Sequence, residues 1–208
     1  MLVLASASPR RHELLRNAGI PFIVQPADID ETPLPSEPPL QCAQRLAREK
    51  ALSVSRTRSQ NLVLGADTIV VIDEAILGKP VDADDAVRML RLLSGRVHRV
   101  ITGVCLVGTV PSGQWPVIGK AEPRPRSYEI LRTENQELRT ASETTLVTMS
   151  ELSEDEIREY VATGEPMDKA GAYAIQGMAS RWIPRIEGDY SNVVGLPVAM
   201  VYAILRGR

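Results

Sequence analysis

Arg10 and Arg11 stand side by side in LVLASASPRRHELLRNAG, residues 2 to 19, where an apolar strand pattern gives way to small residues and then to a helical pattern closed by Gly19. The first turn of a helix leaves backbone N–H groups unpaired and carries the positive end of the dipole, so anions are favoured there. Pro9 suits the first helical position, Ser8 is placed to cap, and Ala5, Ser6 and Ala7 let a ligand approach the backbone closely. The chemistry this would serve is phosphate binding, with both guanidinium groups adding charge. An ordinary strand-to-helix turn with solvated arginines accounts for the segment equally well. Asp67 is the second such residue, a carboxylate inside the otherwise apolar run LVLGADTIVVI. Burying an unpaired charge is unfavourable, so Asp67 must meet a cation, a metal, hydrogen-bond donors or a wet cleft. The plainer alternative is a strand-end Asp that caps a neighbouring helix. His12 and His98 are the only histidines and have no partner at a zinc-ligand spacing, so no zinc site is expected. His98, between a helix stop and a strand, is expected to make a structural hydrogen bond. Ser6 and Ser8 lack a Ser-His-Asp arrangement and no GxSxG elbow occurs, which argues against a covalent serine mechanism.

The elements that must position these groups alternate along the chain. Residues 2 to 6 read as a strand and 9 to 18 as a helix; PFIVQPADIDE is extended, and Pro-rich ETPLPSEPPL is a loop. In residues 40 to 56, Leu40, Ala43, Leu46, Ala47, Ala51 and Leu52 fall near helical spacing, and LVLGADTIVVI returns to a buried strand. After Gly78-Lys79-Pro80, DADDAVRMLRLLSG reads as a helix with an acidic start and Gly95 as its stop, leading into the strand VHRVITGVCLVG. TTLVTM is a further strand. SEDEIREYVATG is a helix with Ser153 and Glu156 as a capping box and Gly164 at its end. Alternating strand and helix argue an α/β protein.

At 208 residues the chain can form one sizeable core or two small lobes, and length does not choose between them. A net charge of −2 gives no global basic surface for nucleic acid, so phosphate binding must come from local clusters, which favours a small anionic ligand. Cys42 and Cys105 are too few for a disulfide scaffold and read as buried thiols, with a cytoplasmic setting as the default. No apolar run approaches the roughly 20 residues of a membrane helix.

ASASPRR, GADTIVV, GKP, SGRVHRVITG, DKAGAYAIQG and EGDYSNVVGLPV occur in this order between residue 2 and about residue 198. In these motifs the chain resembles the Maf family of nucleoside triphosphate pyrophosphatases. The resemblance implies one Maf-like domain over residues 1–208, with an extended mixed sheet flanked by helices and two lobes around a central cleft, as in the Maf and inosine triphosphate pyrophosphatase folds. It implies hydrolysis of a nucleoside triphosphate to the monophosphate and pyrophosphate, a reaction that needs charge neutralisation, a divalent cation and an oriented water. Asp67 would act as the base. Ser6, Arg10, Arg11, Lys50 and Lys79 would bind the triphosphate, although any single lysine is more commonly a solvated surface residue. Glu31, in DIDET, would join Asp67 in holding Mg²⁺, or Mn²⁺ in its place.

Arg10, Thr68 and Gln176 match the branch that acts on dTTP and UTP. The Gln176 amide offers a donor and an acceptor for the O4 and N3–H edge of uracil or thymine, though a loop amide can equally satisfy local backbone. Asp168 and Lys169 could form an internal ion pair that shapes this loop. Two alternatives stay open: a pyrophosphatase for 7-methyl-GTP or inosine-type triphosphates, and a nucleotide-sensing regulator of cell division. Expected partners are the nucleotide and, as an open case, a second copy of the chain, with neither nucleic acid nor membrane. Residues 108 to 142 depart from the family and read as an inserted hairpin or arm, broken by Pro111, Pro116, Pro123 and Pro125 and made basic by Arg124, Arg126 and Arg132.

Overall fold

The computed structural model describes residues 1–108, 129–132 and 136–206. Its elements are β1 (Leu2–Leu4), α1 (Pro9–Asn17), β2 (Phe22–Val24), α2 (Pro39–Ser55), β3 (Leu62–Ile72), β4 (Ala75–Leu77), α3 (Ala83–Leu93), β5 (Val97–Gly108), β6 (Glu129–Arg132), β7 (Glu137–Thr148), α4 (Glu154–Ala162), β8 (Arg185–Glu187), α5 (Tyr190–Val194) and α6 (Val198–Leu205). The strands form one mixed sheet of order β2-β1-β3-β5-β7-β6, with β4 on β3 and β8 on β7. β1 pairs in parallel with β2 and β3, whereas β4, β6 and β8 join by antiparallel pairing. No helix among the described residues is long and apolar enough to cross a membrane.

The chain divides into two compact units. The first holds residues 1–67, 102–143 and 195–208. Successive side chains of a strand point to opposite faces, and this period sorts the unit's apolar residues into two cores. Val3, Ala5, Val63, Cys105 and Val107 pack with Ala47, Ala51 and Val54 of α2. Leu2, Leu4, Leu64, Ala66, Val104 and Leu106 pack with Leu15 of α1 and with Met200, Val201 and Ile204 of α6. Two glycines bring α2 close to the sheet. A Cβ at Gly65 would fall on the Ala47 carbonyl oxygen and 2.7 Å from the Ala51 nitrogen, and one at Gly103 would fall on the Ala43 carbonyl.

The second unit holds residues 68–101 and 144–194. Its core gathers Val70, Ile72, Val100, Val147 and Met149 with Met89, Leu90 and Leu93 of α3 and Ile157, Tyr160 and Val161 of α4. α3 is capped by the Asp82 carboxylate on the Asp85 N–H, and α4 carries the expected capping box of Ser153 and Glu156.

Three sequence readings change. Ser8 occupies the N-cap of α1, but its side chain makes no cap hydrogen bond; its N–H instead donates to Ser6 Oγ at 3.2 Å. β7 starts at Glu137 rather than at residue 144, so residues 137–142 belong to a main strand of the sheet. β1 stops at Leu4, two residues short. The prolines of the 108 to 142 stretch, with Arg124, Arg126 and the Arg132 side chain, lie outside the described residues, while β6 does pair antiparallel with β7.

Candidate active site

β1, α1 and β3 build the first part of the site. The chain leaves β1 at Ala5, whose N–H still donates to the Leu64 carbonyl at 2.8 Å, and turns through residues 5–8 into α1. Arg11 points inward rather than toward solvent and is 8% exposed. Its Nη1 donates to Ser6 Oγ at 3.2 Å and to the Ala66 carbonyl at 2.9 Å, and its Nε donates to the Gly195 carbonyl at 2.8 Å. One guanidinium thus ties together the small-residue loop, the strand residue before Asp67 and the segment entering α6. Burial lowers the Arg11 pKa from its usual value, and the charge of Asp67 opposes that shift. Arg10 remains half-buried on the same turn of α1. The His12 ring lies 3.0 Å from the Ser6 carbonyl oxygen, which fixes the loop from its other side.

Asp67, in the middle of β3, is 6% exposed and meets the cation that its burial demands. That cation is Lys50, on the sheet-facing side of α2 with Ala47, Ala51 and Val54, and itself 7% exposed. Lys50 Nζ lies 2.6 Å from Asp67 Oδ1 and 2.8 Å from Glu31 Oε1. Glu31 comes from the Pro-rich loop, and its side chain is 52% exposed. One buried ammonium therefore holds a buried and a half-exposed carboxylate together. Among the described residues no group of three or more His, Cys, Asp or Glu side chains could hold a metal. The two carboxylates on Lys50 do fit a hard cation that takes one or two protein carboxylates and completes its shell with water and phosphate oxygens.

Glu37 and Arg45, which the sequence reading passed over, secure the loop that carries Glu31. Arg45 Nε and Nη2 each lie 2.7 Å from a Glu37 carboxylate oxygen, and Nη2 also donates to the Thr32 carbonyl at 3.2 Å. The guanidinium holds the Glu37 carboxyl at a pKa of about 2. A loop glutamate eight positions before a helix arginine follows no spacing rule, so the sequence carried no signal for this pair.

Thr68, Lys79 and Gln176 belong to the second unit. Thr68 follows Asp67 in β3. Lys79 is exposed in the turn after β4, where the Gly78 carbonyl accepts a hydrogen bond from the Gly171 N–H at 3.0 Å. This joins the Gly-Lys-Pro turn to the DKAGAYAIQG segment. Gly171 has φ +70, and a Cβ there would lie 2.9 Å from both Val70 methyl groups, so glycine is required at this contact. The Asp168–Lys169 ion pair is formed. Gln176 is exposed in a turn closed by Gly177 N–H on the Ala174 carbonyl at 3.1 Å. His98 is buried with Nε2 2.7 Å from Tyr173 Oη, the structural hydrogen bond expected of it. Cys42 and Cys105 are buried free thiols, and burial pushes the pKa of each up to about 11.

A family model described as "Maf-like protein" matches residues 1–208. A protein of Koribacter versatilis (strain Ellin345) named dTTP/UTP pyrophosphatase is 52% identical over 205 residues, covering 99% of this chain and 93% of the relative. Proteins of the same name from Geobacter sp. (strain M21) and Syntrophomonas wolfei subsp. wolfei are 48% and 46% identical over 205 residues, each covering 99% of this chain and 94% and 96% of the relative.

Proposed function

The chain belongs to the Maf family, and from that premise we propose that it is a pyrophosphatase hydrolysing dTTP and UTP to the nucleoside monophosphate and pyrophosphate. The names of its relatives support the substrate class. The observation that carries the chemistry is Lys50 Nζ within 2.8 Å of both Asp67 and Glu31, a charged cluster in the first unit with the Arg11 charge acting on both acids.

In this reading Asp67 accepts a proton from the water that attacks the α-phosphorus. The water oxygen stays on the monophosphate, the bond from the α-phosphorus to the bridging oxygen breaks, and pyrophosphate leaves with that oxygen. Lys50 orients the Asp67 carboxylate and meets phosphate charge. Arg11 fixes Ser6 and the Ala66 carbonyl, and so the loop and the strand that present Ser6, Arg10 and Asp67. Arg10 and Lys79 are further phosphate contacts, and Thr68 and Gln176 read the pyrimidine. A divalent cation, Mg²⁺ in this reading, would be held by Asp67 and Glu31 and would neutralise phosphate charge.

Turnover of UTP in water enriched in oxygen-18 tests the direction of attack. Mass spectrometry should find the label in UMP. Label in pyrophosphate would place the attack on the β-phosphorus and contradict this mechanism.

A further inference from the structure

The turn that carries Gln176 is held from both flanks by one pair of side chains. Tyr160, at the end of α4, is fully buried, and its ring stands edge-on to Trp182 with centroids 5.4 Å apart. Its hydroxyl donates to Glu165 Oε1 at 2.8 Å and accepts from the Ala174 N–H at 3.2 Å. Glu165 Oε1 and Oε2 in turn accept from the Met178 N–H at 3.1 and 3.3 Å. Ala174 lies two residues before Gln176 and Met178 two residues after it. Between these anchors the Glu165 carboxylate covers Gly177 so closely that a Cβ there would fall on it, 2.7 Å from Oε2. Lys169 Nζ holds the Glu165 backbone carbonyl at 2.7 Å, which fixes the acid's own position.

From this geometry we infer that Tyr160 and Glu165 are positioning residues for base selection: they set the Gln176 turn so that its amide meets the pyrimidine edge in one orientation. The inference rests on the reading of Gln176 as the base-contacting residue. An exposed turn that presents an amide on a flexible side chain would otherwise sample several orientations. A site discriminates by hydrogen bonding only when its donor and acceptor are held in register with the ligand. Burial raises the Tyr160 phenol above its ordinary pKa, so the hydroxyl remains a donor at every working pH.

The test compares kcat/KM for UTP and CTP, which differ at the 4-position, in the wild type and in Gln176→Ala, Tyr160→Phe and Glu165→Ala, with Tm measured for each. Tyr160→Phe keeps the packed ring and removes both hydrogen bonds of the hydroxyl, while Glu165→Ala removes the acceptor shared by the Tyr160 hydroxyl and the Met178 N–H should the first variant not fold. Gln176→Ala is expected to lower the UTP/CTP ratio about tenfold or more, and the positioning variants about fivefold, with the loss in KM for UTP. A purely structural role would lower both nucleotides together and leave the ratio unchanged. If Gln176→Ala lowers the ratio while both positioning variants keep it, the inference is overturned and the reading of Gln176 stands. If Gln176→Ala itself leaves the ratio unchanged, that reading fails and the inference falls with it.

Discussion

Lys50 and Asp67 show how far single residues could be read. A carboxylate inside an apolar strand had to be compensated, and the compensating group proved to be a lysine within the preceding helical pattern, 2.6 Å away. Arg11 was legible only in part. Its place next to Arg10 suggested added charge at a helix start, but its bonds to the Ala66 and Gly195 carbonyls depend on segments distant in sequence. His98 gives a prediction at this scale. Burial holds its pKa near 4, below the value of 6.5 for an exposed imidazole, so the folded state excludes a proton that the unfolded chain takes up between these values. Stability is therefore retained above pH 6.5 and is lost as pH falls toward 4, by about 2 kcal/mol at pH 5. Urea midpoints at pH 7 and pH 5 should separate more in the wild type than in His98→Gln, whose side chain does not titrate. An equal separation in the two proteins would show that His98 is not the group responsible.

At the level of elements, β3 and β5 follow the apolar runs 62–72 and 97–108, and α4 follows its capping box, because in each the local signal agrees with the burial it receives. β7 extends beyond its apolar sequence pattern for the opposite reason. Its first residues include Glu137, Arg139 and Thr140, which look like loop in sequence yet are buried, Glu137 and Arg139 forming an ion pair at 2.8 Å. Polar residues that satisfy one another inside a sheet leave no alternation to detect. The close seating of α2 on the sheet was equally hidden, since a glycine in a strand does not reveal which backbone approaches it. Gly65→Ala is expected to force that helix away from β3 and destabilise the protein by about 3 kcal/mol. Thermal unfolding measures this, and a change in Tm of less than about 2 °C would contradict the packing described. Because α2 carries Lys50, activity in Gly65→Ala should fall with the displacement.

For the whole molecule, the α/β class and the mixed sheet flanked by helices were legible from alternation and from the resemblance, while the division into two units was beyond what length could decide. A chain with net charge −2 concentrates opposite charges at Arg11, Lys50, Asp67 and Glu31 in its first unit. In the proposed reaction this cluster hydrolyses pyrimidine triphosphates with Asp67 as base. The most direct measurement incubates the protein with Mg²⁺ and dTTP, UTP, CTP, GTP, 7-methyl-GTP or ITP, quantifies pyrophosphate and orthophosphate separately, and repeats each reaction with Asp67→Asn. Pyrophosphate should come chiefly from dTTP and UTP and fall about 1,000-fold in the variant. Release from 7-methyl-GTP or ITP in preference to dTTP and UTP, or release that Asp67→Asn leaves intact, would contradict the account.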